Sequence, residues 1–255
     1  DSNQLVKLIA DGFDVNARFE KRIISDYRYP IGMLPLAAAI HSGNPVVLQI
    51  LLKKGAKIVH DPSTGDLPLI TCMGEILAQH EQEDVEKKVK YREIFRQLLA
   101  AQPDLANKKD EKSAPLFYAA NASDEELIVQ LLKAGADPNI RDNAGLTPLH
   151  VALMANDHSH EADGGEHGHQ EEVSLLLLKH GADFRATGKK GQNILILSCM
   201  GGHTNLVNAL IKKGANPNAK DSFGVTPLLA ALTAPDHTHA QGDHRQSWSR
   251  LLKLV

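Results

Sequence analysis

Apolar residues along the chain fall into short clusters of two alternating kinds, separated by glycine, asparagine and aspartate. In "EELIVQLLKAG" (125–135) they recur at helical spacing and a glycine follows, which predicts an amphipathic helix closed by a left-handed residue. Gly12, Gly55, Gly135, Gly181 and Gly214 take that closing place, whereas Gln102 stands there once and predicts a distorted turn. A shorter cluster precedes each such helix. Thr147–Pro148 and Thr226–Pro227 introduce two of them with an N-cap hydroxyl before a proline at the first helical position. Pro35, Pro68 and Pro115 keep the proline without the cap, and Asn193 keeps the cap without the proline. The chain reads as pairs of helices joined by turns.

These pairs repeat in register. "GADPNIRDNAGLTPLHVA" (135–152), "GANPNAKDSFGVTPLLAA" (214–231) and "GAKIVHDPSTGDLPLITC" (55–72) share one frame, which recurs at "GMLPLAAA" (32–39), "KSAPLFYAA" (112–120) and "GQNILILSC" (191–199). Blocks from Gly32, Lys112 and Gly191 run 33 residues, those from Gly65 and Gly145 run 47 and 46, and one from Gly224 reaches the last residue. No single pair can bury its apolar face, so stacking is what supplies the core. A period of 33 carrying "TPLH-x-A" and "LL-x-x-GAD-x-N" resembles the ankyrin repeat family over nearly the whole chain. The resemblance implies an all-α solenoid of stacked helix pairs with projecting β-turns or hairpins and long inter-helix insertions in alternate repeats. The expected organisation is one domain over 1–255. It starts with a half-repeat at 1–31 that bears an extended finger at 18–31, followed by repeats at 32–64, 65–111, 112–144, 145–190, 191–223 and 224–255.

Composition narrows the function. Hydrophobic residues make up 42% and aromatics only 4%, a balance that suits helices packed through leucine and alanine. A net charge of −3 speaks against nucleic acid as partner, and no apolar run is long enough for a membrane span. Two cysteines form no disulfide framework and favour a reducing, cytoplasmic setting. The first residue is Asp1, not methionine, which reads as the trimmed part of a longer protein. His150, in "TPLH", is expected to hydrogen-bond neighbouring turns, and His203, in "GGHTNLV", to be structural too. Cys72 and Cys199 fall at small-residue positions of first helices and read as buried hydrophobes. No nucleophile–base pair, phosphate loop or paired acid site emerges, so no enzyme is expected.

Individuality lies where the chain departs from its repeat. Extra segments fall between the two helices of the second, fourth and sixth blocks. The first, 75–99, is rich in helix formers and predicts lengthened flanking helices, while the other two read as irregular loops. "DHSHEADGGEHGHQ" (157–170) sets His158, His160, His167 and His169 among acids, ligands suited to zinc or nickel. Without apolar residues to build a second shell, it reads as a solvated acidic loop. Adventitious zinc or nickel binding and a pH response are the alternatives, and no cofactor is otherwise expected.

A second departure is the finger "RFEKRIISDYRYPI" (18–31), with Phe19, Tyr27 and Tyr29 beside Arg22 and Arg28. Aromatics and arginine concentrate binding energy at interfaces, so the finger is a candidate anchor. Further candidates are Lys108, Lys109, Arg141, Lys189, Lys190 and Phe223 at the turn tips, which are mildly basic and would steer an acidic partner. By resemblance, Asn16, Asn139 and Asn218 occupy the turn position that an asparaginyl hydroxylase modifies in some ankyrin repeats, although proline precedes the last two. The function expected from the family is a non-enzymatic scaffold or adaptor. It would be a monomer that takes a protein partner with an acidic surface, through turn tips and the inner face of first helices, and binds neither nucleic acid nor membrane. A metal- or pH-responsive sensor and the substrate-recruiting arm of a larger enzyme are the alternatives. The long insertions also fit a bacterial effector acting in a host cytosol.

Overall fold

The computed structural model describes residues 7, 11–18, 32–60, 67–78, 85–110, 113–155, 168–189 and 191–233. Among them are eleven α-helices and no strand, so the fold class is the all-α one expected from the repeat. The helices are α1 (Pro35–His41), α2 (Pro45–Lys53), α3 (Pro68–Leu77), α4 (Val85–Ala101), α5 (Pro115–Asn121) and α6 (Glu125–Lys133). They continue with α7 (Pro148–Met154), α8 (Gly168–Lys179), α9 (Ile194–Met200), α10 (Thr204–Lys212) and α11 (Pro227–Thr233). The chain divides into two compact units, Asp1–Pro115 with Lys133–Ala136 and Leu116–Leu132 with Asp137–Val255.

In the first unit, α1 packs on α2 and α3, and α4 packs on α2 and α3. First helix thus stacks on first helix and second on second. The short helices achieve this through small residues, with Ala37 and Ala39 buried on α1 between Leu36 and Ile40. The first insertion lengthens both its neighbours, as its composition predicts. α3 has 10 residues and α4 has 17, against 7 and 9 in α1 and α2. The additional length is anchored by Tyr91, whose hydroxyl donates to His41 O at 3.1 Å and whose ring lies against Gly43. Gly43 has φ +62°, and a Cβ there would stand 3.2 Å from the tyrosine ring, so only glycine fits both demands.

In the second unit the same stacking holds for α7 on α9, α8 on α10 and α9 on α11. Helix starts follow the local signals. Thr226 Oγ1 accepts from Leu229 N at 3.2 Å, and Asn193 Oδ1 accepts from Leu195 N at 2.9 Å. All five predicted closing glycines are left-handed, with φ between +84° and +93°. Gln102 instead takes φ −147° and leads into a 3-10 turn at Pro103–Asn107, the distortion its side chain predicts. Ser123 is left-handed at φ +51°, in the turn where other pairs use Gly43 and Gly202. Residues 156–167 and 234–255, which contain the two insertions expected to be irregular loops, lie outside the described residues.

Candidate binding surface

The turns between pairs are built by aspartate. Asp142 Oδ1 accepts from Ala144 N and Leu146 N, both at 2.8 Å, and Asp221 Oδ1 accepts from Phe223 N and Val225 N, both at 2.9 Å. These carboxylates are turned into their own loops, which leaves the neighbouring cations to project. Consecutive turns of the second unit touch. Lys189 N donates to Ala144 O at 2.9 Å, and a Cβ at Gly191 would stand 2.8 Å from Ser222 N. Arg141, Lys189 and Phe223 therefore sit on three adjoining tips. Arg141 is fixed there, its guanidinium donating to Gly145 O at 2.8 Å and Thr187 O at 3.0 Å. Lys189 is exposed, and Phe223 is 79% exposed. Arg185 stacks its guanidinium 4.4 Å from the centre of the Phe184 ring.

In the first unit, Lys108 and Lys109 are exposed after the 3-10 turn. Lys108 Nζ lies 3.3 Å from Asp104 Oδ2, an oxygen that also accepts from Gln102 Nε2. The Gln102 bond, ahead of the lysine, holds that carboxyl below the usual aspartate range. Phe19, Arg22, Tyr27, Arg28, Tyr29 and Lys190 lie outside the described residues, as do His158, His160 and His167. His169 is described in the first turn of α8, with Nδ1 3.8 Å from Glu172 Oε2. Among the described residues, no group of three or more histidines, cysteines and carboxylates is placed to hold a metal.

The asparagines are latches. Asn16 Nδ2 donates to Gly55 O at 3.2 Å while its Oδ1 accepts from Lys57 N at 2.9 Å. Asn139 repeats the pattern with Gly181 O at 3.0 Å and Asp183 N at 2.7 Å. Asn107, absent from the sequence candidates because the 3-10 turn displaces it by one residue, donates to Gly135 O at 2.8 Å. Asn218 is tied within its own turn, its backbone N–H donating to Asn216 Oδ1 at 3.0 Å.

The sequence pointed to the first helices as a binding face but named none of its residues. Residues four and seven of α1, α5, α7 and α9 are the ones that packing leaves open. In the second unit these are Tyr118 and Asn121 on α5, Val151 and Met154 on α7, and Leu197 and Met200 on α9. Met154 and Met200 are 48% and 47% exposed. Because α7 and α9 pack side by side in one register, their valine, leucine and methionines form a continuous apolar strip. Comparing those two positions between blocks would have found it. Among the described residues, His150, Cys72 and Cys199 lie in the interior. His150 is fully buried, with Nδ1 3.1 Å from the Thr147 N–H that donates to it and Nε2 3.2 Å from Gln192 O. Burial pushes the Cys199 thiol up to about 12, and raises Cys72 further while its S–H donates to Tyr91 O at 3.0 Å.

Short helices stacked on short helices, asparagine latches and a "TPLH" histidine bridging to the next turn are the geometry that the repeat predicts. A family model of ankyrin repeats, three copies long, matches residues 85–163 and again 160–240. The chain belongs to the ankyrin repeat family. Domains of this family mediate protein–protein interaction. The chain is 27% identical over 197 residues to the human SH3 and multiple ankyrin repeat domains protein 2, covering 69% of this chain and 10% of that protein. It is 29% identical over 141 residues to the pig NF-kappa-B inhibitor alpha, covering 53% and 41% respectively. With the mouse ankyrin repeat and SOCS box protein 16 it shares 32% over 126 residues, covering 49% and 27%. The chain thus spans well under half the length of these relatives. Among the described residues, no helix is long and apolar enough to cross a membrane.

Proposed function

We propose that this chain is a non-enzymatic binding scaffold that holds a protein partner on the apolar strip of its second unit. The observation that carries the reading is the pair of half-exposed methionines, Met154 and Met200, repeated at one position of neighbouring helices. Methionine at an open surface adapts to irregular apolar partners, and a surface held by stacked helices needs little ordering on binding. The exposed Arg185 and Lys189, with Arg141 fixed on the adjoining turn and Asp142 and Asp183 turned into their own turns, favour an acidic flank on the partner. Phe19, Tyr27 and Tyr29 of the finger are a second candidate anchor, with Arg22 and Arg28 beside them and Lys108, Lys109, Lys190 and Phe223 at the tips. The relatives' names, an inhibitor and proteins carrying SH3 or SOCS-box modules, support a role in holding another protein. Two buried free cysteines support a reducing cytosolic setting, host cytosol in the case of an effector. A monomer is part of the same reading. Hydroxylation at Asn16, Asn139 or Asn218 would have to compete with the latch, since the first two have both amide atoms bonded across the turn.

The test is capture from eukaryotic lysate, quantified by mass spectrometry. Wild type is compared with Met154→Lys/Met200→Lys and with Phe19→Ala/Tyr27→Ala/Tyr29→Ala, each checked for folding by circular dichroism. Loss of a partner in the methionine variant supports the strip, and loss in the finger variant alone moves the anchor there. Identical capture by all three overturns the reading.

A further inference from the structure

The lengthened helix α4 has a face that the repeat does not use. Its buried residues are Tyr91, Ile94, Phe95, Leu98 and Leu99. Beside them, with the half-buried Arg92 nearest, Val85, Val89, Arg92 and Arg96 follow one another at steps of four, three and four residues, within about 60° around the helix axis. Val85 and Val89 are 70% and 60% exposed. They lie in the turns that precede the Tyr91 anchor, where no residue is buried. This overhang is nonetheless held in place. Lys87 Nζ lies 3.0 Å from Glu75 Oε2 at the lengthened end of α3, and 5.9 Å from the centre of the Tyr91 ring. A positioned helix end with two exposed β-branched residues has the form of a docking ridge rather than of a frayed terminus.

Its charge indicates what would dock. α4 carries five cations against two carboxylates in a chain whose net charge is −3. Both carboxylates are engaged within the helix, Glu86 with Lys90 at 2.8 Å and Glu93 with Arg96 at 3.2 Å and Gln97 at 3.1 Å. Steps of four and three are the seam of paired helices, in which apolar knobs meet and flanking charges select the partner. The face lacks the tryptophan, phenylalanine and leucine that an interfacial membrane helix buries, which disfavours a lipid surface.

The geometry points to a second docking site on this chain, separate from the methionine strip. The Val85–Val89–Arg92–Arg96 seam of α4 receives an acidic amphipathic helix from a partner protein. Aliphatic residues of that helix cover the valines, and its carboxylates meet the arginines.

The probe is a fluorescent peptide of about three heptads, with leucine at the two seam positions and glutamate at the flanking ones, so that self-repulsion keeps it monomeric. It is titrated against the full chain by anisotropy. Saturable binding is expected, weakened at least about tenfold by Val85→Glu/Val89→Glu and also by Arg92→Glu/Arg96→Glu. Met154→Lys/Met200→Lys should leave it unchanged, which separates this site from the strip. The valines are exposed, so their replacement leaves the core intact and circular dichroism unchanged. Absence of binding, binding that survives the valine substitutions, or equal binding of a lysine-flanked peptide overturns the proposal. So does loss of binding in the methionine variant. Phosphatidylserine vesicles that bind through the valines, where the peptide does not bind, would make the ridge a membrane contact and overturn it too.

Discussion

His150 shows how one side chain joins helix start to neighbouring turn. Thr147 N donates to Nδ1, so the proton of the neutral ring sits on Nε2 and points at Gln192 O, 3.2 Å away. A second proton on Nδ1 would break the cap, and burial, the largest cause, lowers this imidazole below its ordinary 6.5. The sign follows from linkage. Below about 6.5 the unfolded chain binds a proton that the folded chain refuses, so stability is complete above that pH and falls as pH drops toward the lowered folded value. His150→Ala takes the ring acceptor from the buried Thr147 N–H and one donor from the Gln192 carbonyl, which keeps Gly188 N at 3.2 Å, and should cost about 1–3 kcal/mol at pH 7.5. Urea melts at pH 7.5 and pH 5.5 check both points, because the variant's loss of stability between the two should be smaller than that of wild type. The role of this residue was legible from "TPLH" alone, since the motif fixes its place at the third position of a capped helix. Arg141 was legible only as a cation. Its bond to Thr187 O depends on a turn 46 residues away, which no local pattern displays.

Helix starts show the same division one level up. Asn44 and Asp124 cap α2 and α6, accepting from Val47 N at 3.1 Å and Leu127 N at 3.0 Å. α10 has His203 at that place, without a side-chain cap bond. Glu171 of α8 supplies it instead. Its Oε1 accepts from Leu206 N at 2.9 Å and its Oε2 from Asn205 Nδ2 at 3.0 Å. Four orphan N–H groups and the positive helix end favour a carboxylate there, whichever part of the chain delivers it. Glu171→Ala should destabilise the fold by about 1 kcal/mol, as loss of a cap does elsewhere. Hydrogen exchange gives the sharper check, with the Leu206 amide losing protection while those of α9 keep theirs. Unchanged protection at Leu206 would show that the carboxylate contributes nothing. The lengthening of α3 and α4 could be read from helix formers, because propensity is local. The cap on α10 could not, because it crosses 35 residues.

Across the molecule, what the sequence displays is what recurs. Leucines, alanines, prolines and closing glycines repeat because every pair must bury the same face, and that repetition made the fold readable. The asparagine positions were readable from the repeat, whereas their role as latches was not. Asn16, Asn139 and Asn218 each stand four residues after a closing glycine, but Asn107 stands five after Gln102 and escaped. Binding surfaces fall on the positions the core leaves free, so their meaning appears only once stacking is known, as with Val151, Met154, Leu197 and Met200. Charge and apolar area should then divide the kinetics of binding between them. Projecting cations act at long range and set the rate of encounter, whereas contacts made after docking set the lifetime. For the partner recovered by capture, Arg185→Ala/Lys189→Ala should slow association severalfold at low salt and lose that effect as screening length falls to roughly 3 Å near 1 M salt. Met154→Ala/Met200→Ala should instead raise the dissociation rate about tenfold at every salt concentration, consistent with removing ~1.4 kcal/mol of buried contact. Surface plasmon resonance across a salt series separates the two. A salt-independent effect of the cation variant would place those residues inside the contact, and the strip would then share its role as anchor with the turn rim.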